Sequence, residues 1–475
     1  MLLERIYDED LSQASYLVAC QSSGEALVVD PRRDIQVYLD LAARHGLRIV
    51  AVTETHLHAD FLSGTRELAA ATGATAYVSG EGGEDWQYDY AAERLHDGDR
   101  IVLGKVTVTA RHTPGHTPEH LTFLLTDGAV ADEPGYALTG DFVFAGDLGR
   151  PDLLDEAVGM QDTRFAGARQ LFASLREVFL ALPDHVQVFP GHGAGSPCGR
   201  ALGALPSTSV GYERRFAWWA PALADGDEER FVAELLDGQP DAHGYFARMK
   251  QQNQAGPVLL GELPPLRALT PEVLAQGLED GTLALIDTRP VAEVHAGTVP
   301  GALSTPAPGA VASHLAWCVD PARETAQLVI LAADEASAAA YRDHAVRVGV
   351  DGISGYLSSL DSLPLAPPAT VAPAELEQLR ADASTALLLD VRNRSEHAAG
   401  TIPGAAHLSA GRVLFRRDQL PPPEAGRIIA FCQSGLRSGV AASALRRAGY
   451  DVVELEGSYA GWSRWRDVQG EPAPA

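Results

Sequence analysis

Short apolar runs separated by polar or glycine-rich loops fill the first part of the chain. Ser15–Cys20 and Ala26–Asp30 read as β-type runs, Ile35–His45 has helical spacing, and Arg48–Thr53 is a further apolar run. Val106–Arg111, Leu121–Leu125 and Val186–Phe189 predict three more strands. Thr163–Leu182 predicts a helix in which Phe165, Leu171, Phe172, Leu175, Phe179 and Leu182 share one face. Strands that end in polar loops and alternate with helices predict an α/β sandwich.

The pattern breaks twice. Residues 254–269 and 363–373 are rich in Pro and Gly and predict linkers. They divide the chain into predicted domains at 1–254, 265–362 and 372–475. The last two repeat one another. Leu285, Asp287, Arg289, Glu293, Gly297, Pro300 and Gly301 recur as Leu388, Asp390, Arg392, Glu396, Gly400, Pro403 and Gly404, each 103 residues later. Chance would not hold a single offset through so many positions, so the pattern predicts a tandem duplication.

Composition narrows the function. A chain of 475 residues exceeds one ordinary core, and 46% apolar with 21% charged residues is globular rather than disordered. A net charge of −26 argues against nucleic acid or an anionic membrane surface as partner. A small anionic substrate would need a local arginine or metal to hold it. The four cysteines, Cys20, Cys198, Cys318 and Cys432, form no C-x-x-C pair, which predicts free thiols in a reducing cytosol. The first twenty residues carry acids and no continuous apolar core, unlike a signal peptide, and no run approaches the roughly 18 apolar residues of a membrane span. A soluble, cytoplasmic protein is the expectation.

Four loops carry the candidate chemistry. Arg48–Thr53 runs into Thr55-His56-Leu57-His58-Ala59-Asp60; further on come Pro114-Gly115-His116, Thr139-Gly140-Asp141 and Pro190-Gly191-His192. Each follows an apolar run and places imidazole or carboxylate beside the strand end, and the three later loops add a glycine that lets backbones approach. Together they predict a metal site, whereas His45, His112, His120 and His243 read as solvated side chains.

These four motifs, in this order, resemble the metallo-β-lactamase superfamily, which implies an αββα sandwich. Two-metal members carry His after the H-x-H-x-D; here Phe61 stands there and cannot ligate, so one metal is expected. THLHADFLSG, RHTPGHTPEHL, LTGDFVFAGDLGRPDL and the stretch from FPGHGAGSPCGR onward are similar to the persulfide dioxygenase branch, specifically its fusions to rhodanese domains. That resemblance implies a single ferrous iron, Fe(2+), held by His56, His116 and Asp141, a facial two-His-one-carboxylate set with open positions. His58, Asp60 and His192 then orient ligands or water. It also implies a thiol persulfide and O2 as substrates, sulfite and thiosulfate as products, and a homo-oligomer. Arg150 matches the arginine that glutathione-using relatives employ for a substrate carboxylate, or is a structural arginine at a turn. Those relatives place an aromatic after the last His, where this chain has Gly193-Ala194-Gly195. A persulfide of another thiol, such as coenzyme A or a bacterial thiol, is therefore an equal expectation. Cys198 is either a buried small side chain or a thiol near the iron that positions sulfur.

In the last block Arg427–Phe431 runs into Cys432-Gln433-Ser434-Gly435-Leu436-Arg437-Ser438, followed by an amphipathic helix that stops at Gly449. A cysteine at a strand end and helix start has a stabilised thiolate, and Arg437 adds positive charge. C-x-x-G-x-R-S here closely matches the rhodanese family, which implies sulfane-sulfur transfer through Cys432. The first copy has Ala332-Ala333-Asp334-Glu335 instead, and Cys318 sits well before that strand. It reads as a rhodanese domain without its catalytic cysteine, serving packing, dimerisation or the path between sites. Two rivals remain: a zinc thioester hydrolase of the glyoxalase II type, and a non-catalytic sulfur carrier or sensor.

Overall fold

Residues 1–153, 163–200, 202–382 and 384–470 are described by the structure, a computed structural model. The last five residues of the predicted 372–475 block lie outside them. The chain divides into two compact units, Met1–Gln239 with Phe246–Leu263, and Pro240–Tyr245 with Pro264–Ala475.

Two six-stranded sheets build the first unit. One runs in sequence order: β1 (Leu2–Asp8), β2 (Gln13–Cys20), β3 (Glu25–Val29), β4 (Arg48–Thr53), β5 (Thr75–Ser79) and β6 (Glu93–Leu95). The other holds β7 (Arg100–Leu103), β8 (Val106–His112), β9 (Leu121–Asp127), β10 (Tyr136–Gly140), β11 (Gln187–Pro190) and β12 (Thr208–Ser209). Side-chain parity makes the layers. Ala14, Tyr16, Val18 and Cys20 of β2 meet Leu121, Phe123 and Leu125 of β9 between the sheets. The alternate residues Leu17 and Ala19 pack outward on Tyr38, Leu41 and Ala42 of the helix Gln36–Arg44. Leu124 and Ala137 likewise face the helix Thr163–Ser174 and its neighbours on the far side. A strand stretch buried on both faces reads as an unbroken apolar run, which is what Tyr16–Cys20 of β2 and Phe123–Leu125 of β9 show. The result is an αββα sandwich.

The predicted helix over Thr163–Leu182 is α-helical only to Ser174, after which Leu175–Phe179 forms a wider π turn. Leu171, Phe172, Leu175, Phe179 and Leu182 are buried as predicted, but Phe165, at the edge of that stripe, is exposed. The linker predicted at 254–269 is only partly one. Arg66 donates to the carbonyls of Gly256 and Pro257, and Glu67 accepts from the amides of Leu260 and Gly261. Side chains thus satisfy the backbone of 256–261 and tie that stretch to the first unit, while Arg267 and Ala268 form an edge strand of the second.

The second unit contains two five-stranded parallel sheets of one topology. In the first, β13 (Arg267–Ala268), β14 (Leu283–Asp287), β15 (Leu303–Ser304), β16 (Gln327–Leu331) and β17 (Ile353–Leu357) take the order β13-β17-β16-β14-β15. In the second, β18 (Thr370–Val371), β19 (Thr385–Asp390), β20 (Ala406–His407), β21 (Arg427–Phe431) and β22 (Val452–Leu455) take the order β18-β22-β21-β19-β20. Thr370 and Val371 of the second predicted linker are therefore an edge strand. The helix Leu436–Arg447 is not amphipathic, for Ser438 through Leu445 are all buried. Its Ser, Gly and Ala positions let it pass between its own sheet and the other copy, where Ser443 Oγ accepts from Ser304 N at 3.0 Å and Arg447 pairs with Glu324 at 2.7 Å. Among the described residues no helix is long and apolar enough to cross a membrane.

Candidate functional site

Three strand ends and one loop of the first unit converge. His56 stands just past β4, His116 lies in the β8–β9 loop, Asp141 directly follows β10, and His192 lies just past β11. Gly140 takes a left-handed φ of 49°, and a Cβ there would meet Thr55 Oγ1 at 2.5 Å and His120 Nε2 at 2.7 Å. Only glycine lets Asp141 turn in so close.

His56, His116 and Asp141 are buried, with one donor atom of each within 4.8 Å of the others. Asp141 Oδ2 lies 3.5 Å from His116 Nε2 and 3.9 Å from His56 Nε2, and has no hydrogen-bond partner. A buried, unpartnered carboxylate oxygen is costly, and a cation between it and two imidazole nitrogens removes that cost. The residues present therefore fit one metal ion. The remaining ring nitrogens are already assigned. His116 Nδ1 faces the Arg150 carbonyl at 2.9 Å and so carries its proton, leaving Nε2 free to ligate. The Thr55 hydroxyl donates to Asp30 Oδ2 at 3.0 Å, so it accepts from His56 Nδ1 at 2.9 Å. Burial, reinforced for His56 by neighbouring His58, holds both histidines below their ordinary pKa, in the neutral form a metal requires.

Behind this trio lies a chain of charge. His192 Nδ1 is 2.7 Å from Asp141 Oδ1 and its Nε2 is 2.9 Å from Asp60 Oδ2. Burial alone would discharge that ring, but Asp141 and then Asp60 raise its pKa well above the usual range. Cys198 joins Asp60 and His192 in a second buried group with ligating atoms within 4.8 Å. Burial, then the charges of Asp141 and Asp60, push its thiol well up, so it stays protonated there. His58 turns away from the trio to Asp30 at 3.2 Å, and Phe61, fully buried, packs 4.4 Å from its ring.

Arg150 is fully buried, its Nε 2.8 Å from Asp152 Oδ1 and its Nη2 2.6 Å from Asp152 Oδ2. Its side chain is thus buried against Asp152, and its backbone carbonyl orients His116. His120, expected in solvent, is fully buried; its Nε2 accepts from Asp141 N at 3.2 Å and its ring stacks 5.2 Å from His56. His243 is half-buried, with its ring 5.2 Å from that of Trp317. Sequence reasoning missed Asp30 and Asn253. Asn253 donates to the carbonyls of His58 and Phe61 and accepts from Ser63 N, pinning the H-x-H-x-D loop. A strand-terminal Asp before Pro31 was a readable signal; a lone Asn in a late helix was not.

In the second unit Cys432 follows β21 and is 1% exposed. Burial would raise its thiol, yet the Ser438 hydroxyl and the amides of Ser438, Gly435 and Ser434 outweigh that and lower its pKa. Gly435 N donates to Sγ at 3.1 Å. Arg437 is held by Glu396 through both terminal nitrogens, at 2.6 and 2.8 Å. At the corresponding place past β16 stands Ala332, in a cavity of about 540 Å³. There the Asp334 carboxylate caps the next helix, accepting from Ser337 N at 2.8 Å, so it occupies the amide cradle itself. Cys318 is buried, and burial pushes its thiol up to about 12. All four cysteines are free.

Comparison with known proteins bears on both units. Residues 8–192 match the metallo-beta-lactamase superfamily and residues 372–464 match the rhodanese-like domain. The mitochondrial persulfide dioxygenase ETHE1 of Bos taurus is 30% identical over 200 residues, spanning 40% of this chain and 68% of that protein. A probable polyketide biosynthesis zinc-dependent hydrolase, BaeB of Bacillus velezensis, is 25% identical over 210 residues, 44% of this chain and 85% of that protein. The crystal structure of a metallo-beta-lactamase from Staphylococcus aureus is 37% identical, with a TM-score of 0.67, over 75% of this chain and 99% of that one.

Proposed function

Since the chain belongs to the metallo-β-lactamase superfamily, as a persulfide dioxygenase-type domain joined to a C-terminal rhodanese domain, we propose that it oxidises a low-molecular-weight thiol persulfide at one ferrous iron and passes sulfane sulfur through Cys432. The first stage is RSSH + O2 + H2O giving RSH and sulfite. The second joins sulfite to sulfur from another persulfide, giving thiosulfate. The observation that carries this reading is the unpartnered Asp141 Oδ2 facing two neutral imidazoles.

His56, His116 and Asp141 would hold the ion. Bound there, ferrous iron would supply the redox chemistry through which O2 and persulfide sulfur react. The chain does the rest. Thr55 and the Arg150 carbonyl fix the ligand tautomers. His192, flanked by Asp141 and Asp60, stores a proton that can meet the thiolate leaving group. Buried Phe61 and Phe144 keep the surroundings dry. Cys198 in its protonated form can donate to a sulfur anion. In the rhodanese domain the lowered pKa of Cys432 gives the nucleophile. The sheet around β14 and β16 repeats that topology and is read as a second rhodanese domain without a nucleophile, whose service is to cover the helix Leu436–Arg447. Free cysteines suit a cytoplasmic setting.

Metal analysis of anaerobically purified protein, combined with oxygen uptake across a panel of thiol persulfides, tests the reading. One iron per chain and persulfide-dependent uptake are expected. Two zinc ions with thioester hydrolysis would favour the hydrolase, and no uptake by iron-loaded protein would sink the dioxygenase.

A further inference from the structure

Cys432 is taken as the sulfur-transfer nucleophile of the proposed function, and the role of its charged neighbours rests on that reading. Two arginines border its loop, and each is matched by a carboxylate. Arg392 donates from Nε and Nη2 to Asp390 at 3.0 and 2.7 Å and stacks 4.0 Å over Tyr459. Arg437 meets Glu396 fork to fork, which uses the guanidinium edge best suited to an oxyanion. Glu396 does not depend on Arg437 for its position. Its Oε2 also accepts from Asn393 N at 3.0 Å, in the capping box of the helix Arg394–Ala398. Two donors of the loop, meanwhile, are engaged with the sulfur, Gly435 N at 3.1 Å and Ser438 Oγ at 3.5 Å from Sγ. The pair is part-exposed, with Arg437 22% and Glu396 30% accessible, so a ligand entering the loop meets both charges.

We infer that Glu396 is a specificity-determining positioning residue: by occupying Arg437 it makes the Cys432 pocket a poor holder of dianionic thiosulfate, so the donor is an organic persulfide and thiosulfate leaves once formed. The Cys432 thiolate attacks the outer sulfur of RSSH; the S–S bond breaks and its electron pair departs on RS⁻. The resulting Cys432 persulfide loses its proton to solvent. The sulfur lone pair of sulfite then attacks the outer sulfur, the bond to Cys432 breaks, and Cys432 returns as thiolate while S2O3²⁻ is released. Charge and atoms balance with no further oxidant. A dianion held by a free Arg437 would stall the last step as a bound product.

Steady-state kinetics of the full-length protein tests this with two donors. These are thiosulfate with cyanide as acceptor, and an alkyl persulfide with sulfite as acceptor. Glu396→Gln keeps the acceptor for Asn393 N and removes the charge. It should lower KM for thiosulfate roughly tenfold with kcat little changed, an effect that shrinks as salt rises. KM for the alkyl persulfide should move less than about twofold, and thiosulfate should become a product inhibitor. Equal changes with both donors, or an unmoved thiosulfate KM, overturns the inference. Should the variant not fold, the wild-type protein decides: indifference to millimolar thiosulfate during the persulfide reaction supports the role of Glu396, and inhibition at micromolar levels overturns it. Transfer from neither donor by wild-type protein would refute the Cys432 reading itself, a result distinct from any change in donor preference.

Discussion

Cys432 is nearly inaccessible and yet has a lowered pKa, because burial is outweighed by donors at short range. Ser438 contributes a hydroxyl 3.5 Å from Sγ. In Ser438→Ala the thiolate loses a donor, so the midpoint of alkylation rate against pH should move up, by about half a unit or more. An unchanged midpoint would show that the backbone amides suffice. At the other site, Asp60 touches His192 but is not one of the three converging ligands. Asp60→Ala is therefore expected to keep its bound metal, measured by metal analysis, while persulfide-dependent oxygen uptake falls about 10- to 100-fold. Metal loss as complete as in His56→Ala would mean that Asp60 ligates. The sequence displayed both histidines of H-x-H-x-D equally; nothing within the motif says which faces Asp141. Asp30 decides it by accepting from Thr55 and His58 at once, from a left-handed φ of 53°. Such a choice is made by a contact across the sheet, invisible to local spacing.

The repeat with its 103-residue offset acquires a physical reason once the loops after β14 and β19 are compared. Asp287 accepts from Arg289 and from Thr298, and Arg289 donates to the Gly297 carbonyl. Asp390 accepts from Arg392 and Thr401, and Arg392 donates to the Gly400 carbonyl. Asp, Arg and Gly recur because they form one knot that closes the strand-to-helix turn, and both sheets keep it. Asp390 is fully buried and Arg392 is 3% exposed, so Asp390→Ala leaves an uncompensated cation and should cost about 3–5 kcal/mol in urea unfolding. Burial opposes ionisation of Asp390, but Arg392, His397 and Thr401 hold its pKa below the usual range. Its contribution is thus complete above the unfolded carboxylate pKa and is lost as pH falls through the lower folded value. The equivalent Asp287 pairs with a 24% exposed Arg289, and Asp287→Ala should cost less. Strand positions were legible because β2, β4 and β9 are buried along most of their length and read as apolar runs. The all-round burial of Ser438–Leu445 was not, since it comes from packing against elements distant in sequence, and no local spacing marked the π turn at Leu175–Phe179.

Across the whole molecule the two proposed stages share reagents, and stoichiometry can separate them. With both running, one persulfide becomes sulfite while one O2 is consumed, and a second supplies the sulfur that turns sulfite into thiosulfate. Two persulfides are then consumed for each O2. Cys432→Ser removes only the nucleophile of the second stage, and a serine at a site 1% exposed changes one atom without opening a cavity. The candidate metal-holding residues His56, His116 and Asp141 belong to the other compact unit and keep their own hydrogen bonds. Oxygen uptake should therefore persist in Cys432→Ser, with one persulfide consumed per O2 and sulfite replacing thiosulfate as product. Simultaneous loss of oxygen uptake would mean that sulfur reaches the metal site only through Cys432, reversing the order of the stages. Recording O2, sulfite and thiosulfate together in wild-type and variant protein distinguishes these outcomes.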